Sequence, residues 1–313
     1  PGGHPAASGE LGGLGVGSGE DGGEPAQVVE EADHAVDHHY QSQPPVTAVP
    51  GGGGGGQFAH EDRQGRGAHQ PQQRQADAEQ AGIVLCPGVG FDVIPTDCIA
   101  ARLKLALHDA DRLALGFDTH SSLSPGTART SVEGLKYGGR VRKDDRIQTV
   151  PLAYQSREID FGNGTKHAVT IPWGDIATAW FTTGIDDIEV FIPMAPSAAA
   201  RLRRLDRFRA LLGLAPVQAL LKYLVGRRIQ GPDHQQREAA RCYVWGEAQN
   251  RAGKKVVARI KTANAYDVTV EGALYAVGFL LENQPAPGYY TPSRLLGPEC
   301  IENLPGSGPM HIE

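Results

Sequence analysis

GIVLCPGVGFDVIPTDCIAARL, residues 82–103, is the stretch at which the chain becomes legible. It reads as an apolar strand over Gly82–Pro87, a glycine turn, and a helix over Thr96–Leu107 that starts at Pro95 or Thr96. A strand that turns directly into a helix is a building unit of α/β proteins. Upstream the composition is different. Residues 1–81 are rich in Gly, Gln, His and Pro, with a homopolymer at Gly51–Gly56 and the tract HQPQQRQ at 69–75. They contain no Ile, Lys, Asn, Trp, Met or Cys, and their only leucines are Leu11 and Leu14. So little apolar surface does not offset the entropy of ordering the chain, and the head is expected to be disordered. A second reading makes residues 1 to about 75–80 the product of a wrong reading frame in a GC-rich gene. The missing residue types mostly have AT-rich codons, and the chain opens on Pro1.

The net charge of −6 hides an asymmetry. The first 81 residues hold 12 Asp/Glu against 3 Arg, a charge of −9, and the remaining 232 carry +3. An acidic head of this kind is a solvated tail. No basic, aromatic-studded face accompanies the charge, so nucleic acid is not an expected partner. The four cysteines, Cys86, Cys98, Cys242 and Cys300, form no CxxC or Cys/His cluster. His108, His120 and His167 stand apart without ligand spacing. Neither zinc nor a secreted disulfide framework is expected, and buried free thiols in a reducing cytoplasm are. The sequence shows no signal peptide and no uncharged apolar run of membrane-spanning length, which predicts a cytoplasmic protein.

Beyond residue 108 strands and helices alternate irregularly, with no internal repeat. Asp111–Asp118 alternates like a strand, and SPGTARTSVEGLKYGG at 124–139 opens a helix on Ser124–Pro125 and stops it at Gly138–Gly139. Strands follow at Arg146–Tyr154, Ser156–Phe161, His167–Ile171 and Ile188–Pro193, with a turn at Gly162–Gly164 and a short helix over Ile176–Thr182. Arg201–Arg228 is the longest helical stretch, broken at Gly213 and Pro216. Arg241–Asn250 and Lys255–Thr262 form a hairpin around Arg251–Gly253. Tyr266–Glu282 reads as an amphipathic helix and Thr291–Leu296 as a short one.

Several residues carry candidate chemistry. A formal G-x-G-x-x-G at Gly17, Gly19 and Gly22 lacks the preceding apolar strand, and acidic residues follow it, so it is a chance match in a glycine-rich stretch. The loop PGVGFDVIPTD at 87–97 is better placed, because it leaves the carboxyl end of a strand and enters a helix N-terminus. There Gly88 and Gly90 allow close approach of a cofactor, while Asp92 or Asp97 can orient a substrate and Thr96 or Asp97 can cap the helix. Ser124 and Thr127 can hold a phosphate or carboxylate, or simply cap their helix. Trp173 and Asp175, in the PWGD turn, can line a pocket or serve as a buried ring and a capping acid. Trp245 and Glu247 read as packing and pairing residues. RLRRLDRFRALLGLAPVQALLKYLVGRR, at 201–228, is apolar between arginine clusters, which suits either an anionic membrane interface or packing on the protein itself.

GVGFDVIPTDCIA (88–100), SPGTARTSVEGL (124–135), VPLAYQSREIDFG (150–162), VTIPWGDIATAW (169–180), YVWGEAQNRAG (243–253), YDVTVEGAL (266–274) and GYYTPSRLLG (288–297) together resemble the saccharopine dehydrogenase-like oxidoreductases. That family includes the trans-acting enoyl reductases of lipid synthesis, and the likeness runs collinearly over roughly 76–313. It implies an α/β chain with an N-terminal Rossmann domain for NAD or NADP, a mixed α+β substrate domain, and a C-terminal return beside the first domain. The implied layout is a low-complexity head over 1–81, the last Rossmann strand and helix over 82–108, a mixed-sheet substrate domain over 109–285, and a return segment over 286–313. The family's opening strand and its glycine turn have no counterpart here, so only a remnant of the Rossmann domain is expected and the chain reads as truncated.

The resemblance implies hydride transfer from NAD(P)H to a C=C or C=N bond of an apolar or lipid-linked substrate. Candidate catalytic residues are Asp92, Thr127, Asp175 and Tyr290; Gly88, Gly90, Asp92 and Thr96 are the cofactor candidates, and Ser124, Thr127 and Trp173 face substrate. The alternative is a non-catalytic substrate-domain fragment that binds a lipid or a protein partner, with peripheral membrane contact through 201–228.

Overall fold

The structure is a computed structural model that describes residues 70–120, 124–229 and 231–313, all within one compact unit of the chain. The glycine match at 17–22 and the disordered or wrong-frame reading of residues 1–69 lie outside the described residues. The last part of the head is ordered. Gln70–Ala81 forms helix α1, rich in Gln and Ala with Pro71 in its first turn, where a missing N–H costs nothing. Its docking decides the matter: Ala78 is fully buried, and Gln75 Oε1 accepts the Tyr289 amide at 2.7 Å.

The expected strand at Gly82–Pro87 shrinks to β1, Val84–Leu85, which pairs in parallel with β10, Gly288–Tyr289. The turn after β1 leads into α2, Ile94–Ala106, which starts earlier than expected, with Val93 at the N-cap. Then come β2, Ala110–Thr119, and α3, Pro125–Gly134, which Ser124 caps by accepting from the Thr127 amide. A 3-10 turn over Leu135–Tyr137 precedes a hairpin of β3, Gly139–Lys143, and β4, Arg146–Val150. Nothing in the pattern announced β3. Its turn is Asp144–Asp145, both left-handed at φ 50° and 60°, a conformation that Asp tolerates and that suits a tight hairpin.

β5 (Ser156–Asp160) and β6 (Thr165–Thr170) form a second hairpin, followed by α4 (Asp175–Thr183) and β7 (Asp187–Pro193). The helical stretch breaks around Gly213 and Pro216 as expected, and once more at Arg207–Phe208, giving α5 (Pro196–Asp206), α6 (Arg209–Leu212) and α7 (Ala215–Arg228). After α8 (His234–Ala239), β8 (Cys242–Asn250) and β9 (Lys255–Thr262) make the long hairpin. Helix α9 (Ala265–Asn283) is capped by Asn264, and α10 (Pro292–Leu296) and β11 (His311–Ile312) close the chain.

Among the described residues the main sheet has nine strands in the order β11-β9-β8-β2-β7-β3-β4, with β6 pairing β7 and β5 pairing β6. Only β2 and β7 run parallel in it; the other neighbours are antiparallel. Period-two alternation sends Leu113, Leu115 and Phe117 of β2 to one face, where α2 packs through Ile99 and Leu103. Fully burying each such side chain contributes about 1.5–3 kcal/mol. Gly246 of β8 makes the close approach possible, since a Cβ there would run into Ile99 and come within 2.8 Å of Leu103 Cδ1. On the other face Phe161, Phe191 and Trp245 form a smaller core.

Helix α9 departs from the expected amphipathic pattern. Val268, Gly272 and Ala276 are buried at four-residue spacing, but Val270, Leu274, Val277 and Leu281 are exposed on the outside. Cys98, Cys242 and Cys300 are buried and Cys86 half-buried, all as free thiols, and burial pushes the Cys86 and Cys242 thiols up to about 12.

Candidate active site

The loop between β1 and α2 meets the start of α4 at three carboxyl groups, Asp92, Asp97 and Asp175. Asp97 and Asp175 lie in the first turns of α2 and α4 and are completely buried. Asp97 is not a cap, because α2 begins at Ile94 and its first turn carries Asp97 inward. There it accepts from the Thr182 hydroxyl and, at 2.8 Å, from the Ser293 amide of α10. Thr182 in turn lies 2.6 Å from the Thr291 hydroxyl. Burial raises the Asp97 carboxyl above the usual range, and these hydrogen bonds pull it partly back.

Asp175 is the more perturbed of the two. Burial, with Asp97 and Asp92 nearby, holds its carboxyl well above the usual range, against the opposing Thr96 contact. Thr96 Oγ1 stands 2.7 Å from Asp175 Oδ1 and 3.0 Å from the Val93 carbonyl. The Thr96 hydroxyl faces both acceptors, and its donation to Asp175 opposes the rise that burial causes. Asp175 Oδ2 and the Thr178 hydroxyl are both buried and have no hydrogen-bond partner among the described residues. Asp175 is not a cap either, since Gly174 holds the N-cap position.

Asp92 is half-buried, and burial raises its carboxyl too. With Pro87, Gly88, Val93, Trp173, Gly174 and Thr178 it lines a cavity of about 20 Å³, room for roughly one water. Trp173 closes one wall, donating from Nε1 to the Asp92 carbonyl at 2.8 Å and packing its ring 4.9 Å from Phe117. Arg142 of β3 supports the group from behind. It donates from Nε to the Ile176 carbonyl at 2.7 Å and stacks 4.5 Å over the Trp180 ring, only 2 % exposed.

The candidates thus separate. Gly88, Gly90, Asp92, Thr96, Trp173 and Asp175 come together. Ser124 and Thr127 do not: they form the exposed cap of α3, with their hydroxyls 2.9 Å apart, and no hydrogen bond links them to the carboxyls. Tyr290 donates its hydroxyl to the Ala286 carbonyl at 3.0 Å, and its amide continues the β1–β10 pairing by donating to Leu85. Sequence reasoning passed over Thr178, Thr182, Thr291, Ser293 and Arg142. The TAWFTT run after PWGD held a signal for the first two, as polar hydroxyls at four-residue spacing on an apolar helix.

The loop does not fit a dinucleotide. Gly88, at φ +76°, has its would-be Cβ position 2.6 Å from Val93, and that of Gly90 lies 2.8 Å from Asp92 Oδ1 and 3.0 Å from Thr269. Both glycines therefore make room for this chain's own side chains. The Phe91 amide is taken by Thr269 Oγ1 at 3.1 Å, and the Val93 and Ile94 amides by the Gly90 carbonyl. A second, larger cavity of about 360 Å³ lies on the opposite face of the sheet, bordered by Arg112, Lys143, Glu189 and the Arg157–Glu247 pair.

No protein-family model matches the chain, and no curated protein matches it. Solved structures do: 23 chains match. One is the apo histidine-tagged saccharopine dehydrogenase (L-Glu forming) from Saccharomyces cerevisiae, at TM-score 0.52 and 10 % identity, over 77 % of this chain and 77 % of that one. The likeness is one of fold. The chain has a saccharopine dehydrogenase-like fold, and no helix among the described residues is long and apolar enough to cross a membrane.

Proposed function

We propose that the chain is an oxidoreductase of the saccharopine dehydrogenase-like kind, working on a C=C or C=N bond of an apolar or lipid-linked substrate with NAD(P)H as reductant. The observation that carries this reading is the buried carboxyl group cluster at the β1–α2 loop, set in a fold shared with a saccharopine dehydrogenase. Reduction of a double bond requires a proton as well as hydride. Asp92 is the proton-holding group at the cavity wall, and Asp175 and Thr96 fix the loop that carries it. The filling of the 87–97 loop by Val93, Asp92 and Thr269 supports impaired cofactor binding by this chain.

A second reading rests on that same misfit: a non-catalytic substrate-domain fragment that binds a lipid or a protein partner. Titrating NADPH into the full chain, followed by cofactor fluorescence, separates the two. Micromolar binding defeats the fragment reading. Absence of binding defeats catalysis by this chain. If NADPH binds, Asp92→Asn is expected to leave its affinity intact and to slow turnover of an enoyl substrate about 10²-fold or more.

A further inference from the structure

Between β7 and β8 the chain inserts α5, α6 and α7, and this insertion faces outward with unusual chemistry. Leu205, Phe208, Leu211, Leu214, Leu220, Tyr223 and Leu224 are 43–59 % exposed, within twenty residues of one another. Single exposed apolar residues need no explanation, but a concentration like this marks an interaction surface. The inner side of the insertion is already occupied. Gln218, buried, donates to the Val132 and Leu212 carbonyls, and Lys222 pairs with Glu133 of α3 at 2.9 Å.

The charge around this patch is one-sided. Residues 196–229 contain eight Lys/Arg and a single acid, Asp206. Asp206 is itself engaged, accepting from the Leu152 amide at 3.2 Å and facing Arg209 at 4.0 Å. Arg201, Arg204, Arg207 and Arg228 form no ion pair among the described residues. We propose that α5–α7 is a docking surface for an anionic lipid bilayer, with the leucines and Phe208 in the headgroup–acyl boundary and the arginines on lipid phosphates. An interfacial helix needs this combination of apolar side chains and flanking cations, and lies in the plane of the membrane.

Other occupants match less of it. Two copies meeting through this patch would set like charges against each other. The acidic head matches the charge, but offers only Leu11, Leu14 and Phe58 as leucines and phenylalanines to cover seven large apolar groups. The inference is independent of the oxidoreductase reading, since it uses no residue of the carboxyl cluster.

Co-sedimentation of the full chain with phosphatidylcholine vesicles, with and without phosphatidylglycerol, tests it. The chain is expected to pellet with the anionic vesicles and to be released as salt rises. Phe208→Glu and Leu220→Glu should each weaken binding about tenfold or more. Arg204→Gln and Arg207→Gln should each weaken it about fivefold on anionic vesicles only. All four positions are exposed or at the helix surface, and thermal melts check that the variants fold; Leu220→Ser and Leu224→Ser replace any that do not. The proposal is overturned if the wild-type chain stays in the supernatant with anionic vesicles at low salt. Binding that survives the Glu substitutions overturns it as well, and so does a dimer in gel filtration that the same substitutions dissolve.

Discussion

Replacing Arg142 with Met tests the physical core of the argument, because this one side chain ties the sheet to the carboxyl cluster. Its guanidinium is buried, donates to the Ile176 carbonyl at 2.7 Å and to the Asp145 carbonyl at 2.9 Å, and meets Asp145 Oδ1 at 3.0 Å. Methionine keeps much of the length and none of the donors. It leaves the Ile176 carbonyl, in the first turn of α4 beside Asp175, without this partner. A hydrogen bond from a charged group contributes about 1.5–3 kcal/mol, and an unsatisfied buried acceptor costs about 1–3 kcal/mol. These contributions overlap, and removing the buried member of such a network costs about 3–5 kcal/mol. The stack on Trp180, with its ring 4.5 Å from the guanidinium carbon, is lost too. At about 2–4 °C per kcal/mol for a chain of this size, Tm should fall by about 6–20 °C. Arg142→Lys keeps the charge but not the fork and should lie between the two. Thermal and urea unfolding of the three proteins measure this. If Arg142→Met melts within about 2 °C of wild type, the network does not hold α4, and the account of the site is wrong.

Three further outcomes follow from the geometry. Asp175 and Asp97 have raised carboxyls in the folded state, so their contribution to stability is fully present below the unfolded value, about 3.8, and is lost as pH rises through the folded ones. Asp175→Asn removes the titrating group and should flatten that loss; unchanged pH slopes in melts from pH about 4 to about 8 would refute a raised Asp175 carboxyl. Gly246→Ala should cost about 1–3 kcal/mol in urea unfolding, since the new methyl group displaces Ile99 and Leu103 from β8. Ser124→Ala should cost about 1 kcal/mol through loss of the α3 cap, with no effect on any substrate or cofactor binding, because Ser124 touches none of the carboxyls.

The parts of the fold legible in the sequence were those governed by local rules. Alternation marked β2, β7, β8 and β9, Gly253 marked the β8–β9 turn, and Ser124–Pro125 marked the start of α3. The misses have tertiary causes. The Asp144–Asp145 turn carries no glycine, so β3 was hidden inside what looked like a helix stop. Gln70–Ala81 looked like low-complexity sequence and is a helix because Ala78 and Gln75 have somewhere to dock. In the site, the PWGD and GFDVIPTD strings singled out Asp92, Thr96 and Asp175. Their partners lie 79 to 196 residues away in the chain, as with Thr96–Asp175 and Asp97–Ser293, and no spacing rule reaches that far.

Period and composition were enough to read the strand–turn–helix unit at 82–103 and the basic, apolar character of 201–228. What the glycine loop is for follows from packing between segments far apart in the chain. Gly88 and Gly90 looked like room for a ligand, and the space beside them is filled by Val93, Asp92 and Thr269 of the same chain. That packing also decided which carboxyls are held above their usual range. Burial sets that, and burial belongs to the packed molecule rather than to any stretch of it.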